Sequence, residues 1–257
     1  MTSLARGLAV IRGFSQQRRK MSIAQLSMRT GIPRAAVRRC LYTLMKLGYV
    51  SVEEGGTFAL RPQILSLGHA YLSSVPLVMA AQPVLDSVSA TTHESCSLAI
   101  MDGDEILYVG RSSSSTRIMS IDLGVGSRLP AHCTSMGRVL LASLPHDELD
   151  DYLRTAKLEP WTDRTITDPE RLRKVLDETR QRSWALVDQE LEIGLRSVAA
   201  PIRRGSDTIA ALNVSSAVSR VSLDDLRRRI LPPLIETANT ISNALTQQGP
   251  AYHRHVS

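Results

Sequence analysis

Apolar residues recur at helical spacing through the first sixty positions. Leu4, Leu8 and Ile11 stand at i, i+4, i+7 and predict a first helix. Ile23 and Leu26 predict a second, short one, with Ser22 as its N-cap. Gly31 ends it, because glycine enters the left-handed conformation at little cost. Pro33 suits a first helical turn, and Val37, Leu41 and Leu44 predict a third helix that stops at Gly48. The opposite face of that helix carries Arg34, Arg38, Arg39, Thr43 and Lys46. Residues 49–52 and 57–60 read as strands around a tight turn at 53–56, and 16–20 as a polar, basic loop. Helix, turn, basic helix and hairpin is the plan of a winged helix-turn-helix, whose second motif helix is narrow enough to enter the DNA major groove. The residues placed to meet DNA are Ser22, Arg29, Arg34, Ala35, Arg38, Arg39 and Thr43.

Beyond the hairpin, 61–74 holds Ile64, Leu65, Leu67 and Leu72 among few charges, and reads as a helix joining two domains. It is too apolar for an exposed spacer, which makes it a candidate dimer seam. Pro76 opens a helix to about residue 93. Residues 96–101 and 105–111 are strand-like around Asp102-Gly103-Asp104, a hairpin signal, and 117–123 reads as a further strand. A long irregular stretch, 124–135, leads to a helix over 136–144, and Pro145 starts another. Asp168-Pro169-Glu170 marks the N-terminus of a helix ending near Ser183. Strands follow at 184–188, 197–203 and 208–215, then a terminal helix from Ser222 to about Gln247. The expected fold is α+β: a winged helix-turn-helix over 1–60, a linker helix over 61–75, and a domain with a mainly antiparallel sheet over 76–250.

Charge separates these parts. Residues 1–75 carry eleven Lys and Arg against Glu53 and Glu54, a net +9, so the whole-chain +6 hides a body of −3. Phosphate neutralisation explains such a split; a solvated helix face alone does not. The 257 residues, 43% hydrophobic and 22% charged, fit a globular chain of one large or two small domains. No apolar run is long enough to span a membrane, and the N-terminal stretch, broken by Arg6 and Arg12, lacks a signal-peptide core. Cys40, Cys96 and Cys133 are odd in number and far apart, which suits a reducing cytoplasm rather than a disulfide framework.

Three blocks bring a resemblance into view: the head with LMKLGYV at 44–50, GVGSRLPAHCTSMGRVLLA at 124–142, and ELEIGLRSVAAPI at 190–202 followed by AALNVSS at 210–216. Together they resemble the IclR family of bacterial transcription regulators, over nearly all of 4–245. The spelling of 119–142 is similar to the subgroup that regulates the β-ketoadipate pathway. The resemblance implies an effector-binding C-terminal domain, and dimers that often pair into tetramers. It also implies effector contacts at Ser135, Met136, Asp188, Leu195, Ser197, Asn213 and Ser215, with Met119 as apolar cover. Two departures stand out: Ala35 and Ala36 replace the usual small or hydroxyl residues at the start of the recognition helix, and Ser197 replaces a common cysteine.

The chemistry of these residues agrees with a small acid. Free amides and the positive end of a helix beginning near Thr134–Gly137 suit a carboxylate. Asn213 and Ser215 alternate along one strand and so share a face. Read without the resemblance, Thr134 and Ser135 cap a helix, Asn213 sits in a turn, and Arg138 and Arg196 make surface ion pairs, Arg196 with Glu190 or Glu192. The partners expected are double-stranded operator DNA, a small carboxylic acid of the protocatechuate or β-ketoadipate class, and a second copy of the chain, with no cofactor, metal or membrane. His132-Cys133 keeps open a small-molecule enzyme with a DNA-targeting head, although adjacency in sequence does not make a catalytic pair. An architectural DNA binder without a ligand is the third reading.

Overall fold

The computed structural model of the protein describes residues 2–15, 18–113 and 123–247. The chain divides into two compact units, Met1–Ser74 and Val75–Ser257.

The first unit runs α1 (Thr2–Arg12), β1 (Lys20–Met21), α2 (Ile23–Thr30), α3 (Arg34–Lys46), β2 (Val50–Glu53), β3 (Thr57–Leu60) and α4 (Leu65–Ser74). Leu26, Val37, Leu41 and Leu44 form its core as the helical spacing predicts, together with Val10 and Val50. On α1 the expected stripe is not the buried face: Leu4 and Leu8 are exposed, Ile11 is only partly buried, and Val10 alone is fully buried. Ser22 closes a reciprocal capping box: its hydroxyl accepts from the Gln25 amide at 3.3 Å, and the Gln25 side chain accepts from the Ser22 amide at 2.8 Å. Gly31 ends α2 at φ 68°. The hairpin tip is a 3-10 turn, Glu54–Gly56. Two further expectations are corrected. The segment read as a loop over 16–20 contributes β1, whose Lys20 and Met21 pair with Ala59 and Phe58, so the small sheet has the order β1-β3-β2. A two-residue strand is too short for its alternation to show. The first hairpin strand starts at Val50 rather than Tyr49, because the Tyr49 amide is spent on the Leu44 carbonyl at the end of α3, 2.8 Å away.

The second unit runs α5 (Pro76–Thr92), β4 (Ser95–Asp102), β5 (Glu105–Ser112), β6 (Arg128–Pro130), α6 (Ser135–Ala142), α7 (His146–Thr155), α8 (Pro169–Arg182), β7 (Ala185–Asp188), β8 (Leu195–Arg204), β9 (Asp207–Ala217) and α9 (Leu223–Asp225), then a π-turn over Leu226–Ile230 and α10 (Leu231–Gln247). Its six strands form one antiparallel sheet in the order β6-β5-β4-β9-β8-β7. The stretch read as irregular, 124–135, contains β6, whose Leu129 pairs with Ile106. The strand expected over 117–123 lies outside the described residues except for Leu123, which is buried and in no strand.

The two sheet faces differ in side-chain size. Leu98, Val198, Leu212 and Val214 point one way, on the side packed by α5 and α10. Ala99, Ala199 and Ala211 point the other way, beneath α6. Small residues there let a helix approach the sheet closely. The tightest backbone approach on α6 is to the loop that leads into it: a Cβ on Gly137 would stand 2.2 Å from the Ala131 carbonyl oxygen.

Candidate functional site

On α3 the buried arc is Ala36, Val37, Leu41 and Leu44, and the exposed arc holds Arg34, Ala35, Arg38, Arg39, Tyr42, Thr43 and Lys46. With successive residues about 100° apart, Tyr42 falls near the middle of the exposed arc. Its ring is 57% exposed, and the Lys46 ammonium lies 5.6 Å from the ring centroid. An aromatic ring at the centre of a basic face offers apolar contact to a base edge, flanked by charges that hold the backbone. Nothing in the sequence marks Tyr42, since a tyrosine between Leu41 and Thr43 fits either face of a helix. Arg29 is exposed in the last turn of α2. Ser22 is half-buried, and its hydroxyl already serves the helix cap.

The second cluster is built by the register of the large sheet. Ser197 lies opposite Ser215, and Ser215 opposite Ser95; Ala199 lies opposite Asn213, and Asn213 opposite Ser97. Directly opposed residues share a face, so Ser95, Ser97, Ser197, Asn213 and Ser215 all stand on the α6 side. The Ser197 hydroxyl donates to the Ser135 hydroxyl at 2.8 Å, tying the first residue of α6 to the sheet. Met136 and Leu195 are buried in the cluster that includes Ala99, Ala199 and Ala211. Asn213 is in β9 rather than a turn. Its side-chain amide donates to Ser215 at 3.0 Å, while its Oδ1 is buried without a partner. A buried amide oxygen left unpaired is a candidate ligand contact. Met119 lies outside the described residues.

Asp188 is placed differently. It faces Arg196 across β7 and β8, on the reverse side of the sheet from Ser197. Its carboxylate takes Arg196 Nε at 3.0 Å and Arg164 Nη1 at 3.3 Å. Arg196 thus pairs with Asp188, not with Glu190 or Glu192. Arg138 is no surface residue either: its Nη2 meets Glu190 Oε2 at 2.5 Å, with the two side chains 3% and 10% exposed.

Thr134 caps α6, accepting from the Gly137 amide at 3.2 Å and donating to the Pro130 carbonyl at 2.9 Å. The cap uses one first-turn amide and leaves those of Ser135 and Met136, which no helical turn can satisfy, for an incoming acceptor. His132 and Cys133 do not form a nucleophile and base. His132 Nε2 is 3.1 Å from the Glu159 carbonyl, and burial lowers its pKa. Burial also pushes the Cys133 thiol up to about 12, which keeps it protonated and unreactive at neutral pH. Among the described residues no group of three or more His, Cys, Asp or Glu could hold a metal ion, and no single helix is long and apolar enough to cross a membrane. An open cleft of about 390 Å³ lies at the other end of α6, lined by Ser143, Arg180, Arg203 and Thr208. It contains none of the residues above, and Arg180 there is occupied by the Ala142 and Leu144 carbonyls.

Residues 3–54 match the IclR helix-turn-helix domain and residues 69–243 the bacterial transcriptional regulator IclR C-terminal domain. The chain is 52% identical over 246 residues to the Pca regulon regulatory protein of Pseudomonas putida, covering 95% of this chain and 84% of that one. It superposes on a regulator from Rhodococcus sp. RHA1 with a TM-score of 0.86 and 45% identity, over 97% of this chain and 100% of that chain. A further structure, a double mutant of the inducer-binding domain of the Acinetobacter transcription factor PobR in complex with 3-hydroxybenzoic acid, matches at a TM-score of 0.62 and 34% identity, over 65% of this chain and 97% of that one. A basic helix on a winged head, a buried polar cluster on a separate sheet and these matches agree: the chain belongs to the IclR family of bacterial transcription regulators, as an effector-controlled DNA-binding protein grouping with those of the protocatechuate pathway.

Proposed function

We propose that the protein reads an operator with α3 in the major groove and answers to a small carboxylic acid of aromatic breakdown, protocatechuate or β-ketoadipate. The supporting observation is the buried Ser197–Ser135 hydrogen bond, which brings a helix N-terminus against a sheet face bearing Asn213 and Ser215. The relatives support the ligand class: one is named for the Pca regulon, another holds 3-hydroxybenzoic acid. In this reading Ser135, Met136, Leu195, Ser197, Asn213 and Ser215 line the pocket, and Asp188 positions Arg196 and the β7–β8 corner from the reverse face. The division of labour is DNA binding by 1–60, linkage by 61–75 and effector binding by 76–250, in a cytoplasmic protein. Self-association draws support from Leu65, Leu67 and Tyr71, apolar residues that α4 leaves exposed.

The experiment is an electrophoretic binding assay on an operator selected from random DNA, titrated with each acid. Either acid is expected to change operator affinity; turnover of the acid would favour the enzyme reading, and no response an architectural protein. In the same assay Arg38→Ala should weaken operator binding by about 1–3 kcal/mol, the worth of a bidentate arginine–guanine contact. Random DNA should lose far less, and equal losses on both would make Arg38 a phosphate contact.

A further inference from the structure

Arg111 is the cation that the effector reading leaves unused. It lies opposite Ser97 on β5, on the same sheet face as Ser197, Asn213 and Ser215. Its Nη1 reaches the Ser97 hydroxyl at 3.3 Å and its Nη2 the Ser95 hydroxyl at 3.5 Å. These are long contacts to neutral groups, and among the described residues Arg111 has no carboxylate partner. The two arginines with almost fully buried side chains are matched: Arg138 meets Glu190 at 2.5 Å and Arg196 meets Asp188 at 3.0 Å. A half-buried guanidinium without an anion forgoes hydration without gaining a countercharge. On the other side of Ser97, Asn213 is 4% exposed and keeps an unpartnered Oδ1. Its amide can present either oxygen or nitrogen to a ligand, because Ser215 can donate or accept in turn.

We propose that Arg111, supported by Ser95 and Ser97, holds the effector's carboxylate, and that the α6 end of the pocket receives the second polar group of the same molecule. This rests on the effector reading above and reverses the orientation that a helix N-terminus alone suggests. Two considerations decide the direction. The α6 terminus carries about half a unit charge, and its cap already occupies one amide; Arg111 carries a full charge in a planar fork that fits a carboxylate. At the α6 end stands a pair of hydroxyls, Ser135 and Ser197, which can exchange hydrogen bonds with a ligand hydroxyl or carbonyl. Ser197 and Ser95 lie two strands apart, roughly 10 Å, a span that takes one ring or a short chain with its hydrogen bonds at both ends. The ligand class is therefore a compact acid with an anionic head and a polar tail.

The test is calorimetric titration of the full chain with protocatechuate, β-ketoadipate and the corresponding amides. The wild type should prefer the acid that binds over its amide by at least about tenfold. Arg111→Gln should abolish that preference, weakening the acid about 10- to 100-fold and leaving the amide bound as before. Arg111→Lys, which keeps the charge, should retain part of the preference. An Arg111→Gln protein that still prefers the acid would place the carboxylate at α6 and overturn the proposal. Equal loss of acid and amide would do the same, by showing a role in shape rather than charge. A wild type that binds neither acid removes the effector reading itself, and the proposal falls with it.

Discussion

Glu190→Ala is expected to destabilise the second unit by about 3–5 kcal/mol, the loss typical of breaking a buried ion pair by removing one partner. The Glu190 carboxylate is held by Arg138 Nη2 at 2.5 Å and by the Ile166 amide at 3.1 Å. Removing it strands a guanidinium whose side chain is 3% exposed and whose remaining contact is the His132 carbonyl, 3.0 Å from Nε. The loss is dominated by desolvation of the orphaned charge, not by the attraction that disappears. A double change, Arg138→Met with Glu190→Leu, should therefore recover much of the stability, because no charge is left buried. Urea unfolding of the three proteins measures both effects. A single mutant within about 1 kcal/mol of wild type would show that water reaches Arg138. The head has its own core and should keep binding nonspecific DNA in all of them.

Gly137→Ala should be the second severe change, and its sign is diagnostic. In an ordinary helix interior this substitution stabilises by about 0.5–1 kcal/mol. Here the new Cβ would lie 2.2 Å from the Ala131 carbonyl oxygen and 2.4 Å from its Cα, atoms of the backbone that cannot rotate away. The first turn of α6 must lift off residues 131–134, and overpacking of this kind costs about 1–3 kcal/mol or more. The displacement also reaches the proposed effector site, since Ser135 and Met136 belong to that turn and the Ser135–Ser197 bond would stretch. A lower melting temperature together with weakened effector binding is the expected result. A variant as stable as wild type would mean that α6 does not pack against residue 131 as described.

These sensitivities explain what could be read from the sequence and what could not. The second and third helices of the head were legible because apolar positions recur at helical spacing, and because glycine and proline punctuate them at Gly31, Pro33 and Gly48. The buried face of α1 was not, since Val10 rather than Leu4 and Leu8 is covered. The sheet strands were legible with boundaries off by one or two residues, since Ser95 and Leu195 extend strands whose apolar runs start later. Short elements such as Lys20–Met21 and Arg128–Pro130 carry too few residues for a period. For the candidate site, the residues could be named from their blocks but not their facing. Asp188 and Ser197 sit in neighbouring blocks, yet register turns one to each side of the sheet. Arg138 and Glu190 are fifty-two positions apart, so their pairing has no local signature. Arg111 is equally silent in sequence, because an arginine at the end of a strand normally reads as a solvated terminus.

The middle of the large sheet has a consequence for when the protein can first respond to its ligand. β4 and β9 meet between residues 95–99 and 211–215, so the sheet is sewn together at its centre by segments made at very different times. Arg111, Ser95 and Ser97 emerge early in synthesis, while Ser197, Asn213 and Ser215 arrive only with the last quarter of the chain. A ribosome-bound nascent chain has a finished head long before all the residues of the proposed pocket are made. An effector bound across that join as proposed would favour the closed sheet by mass action and fasten the early and late parts of the chain together.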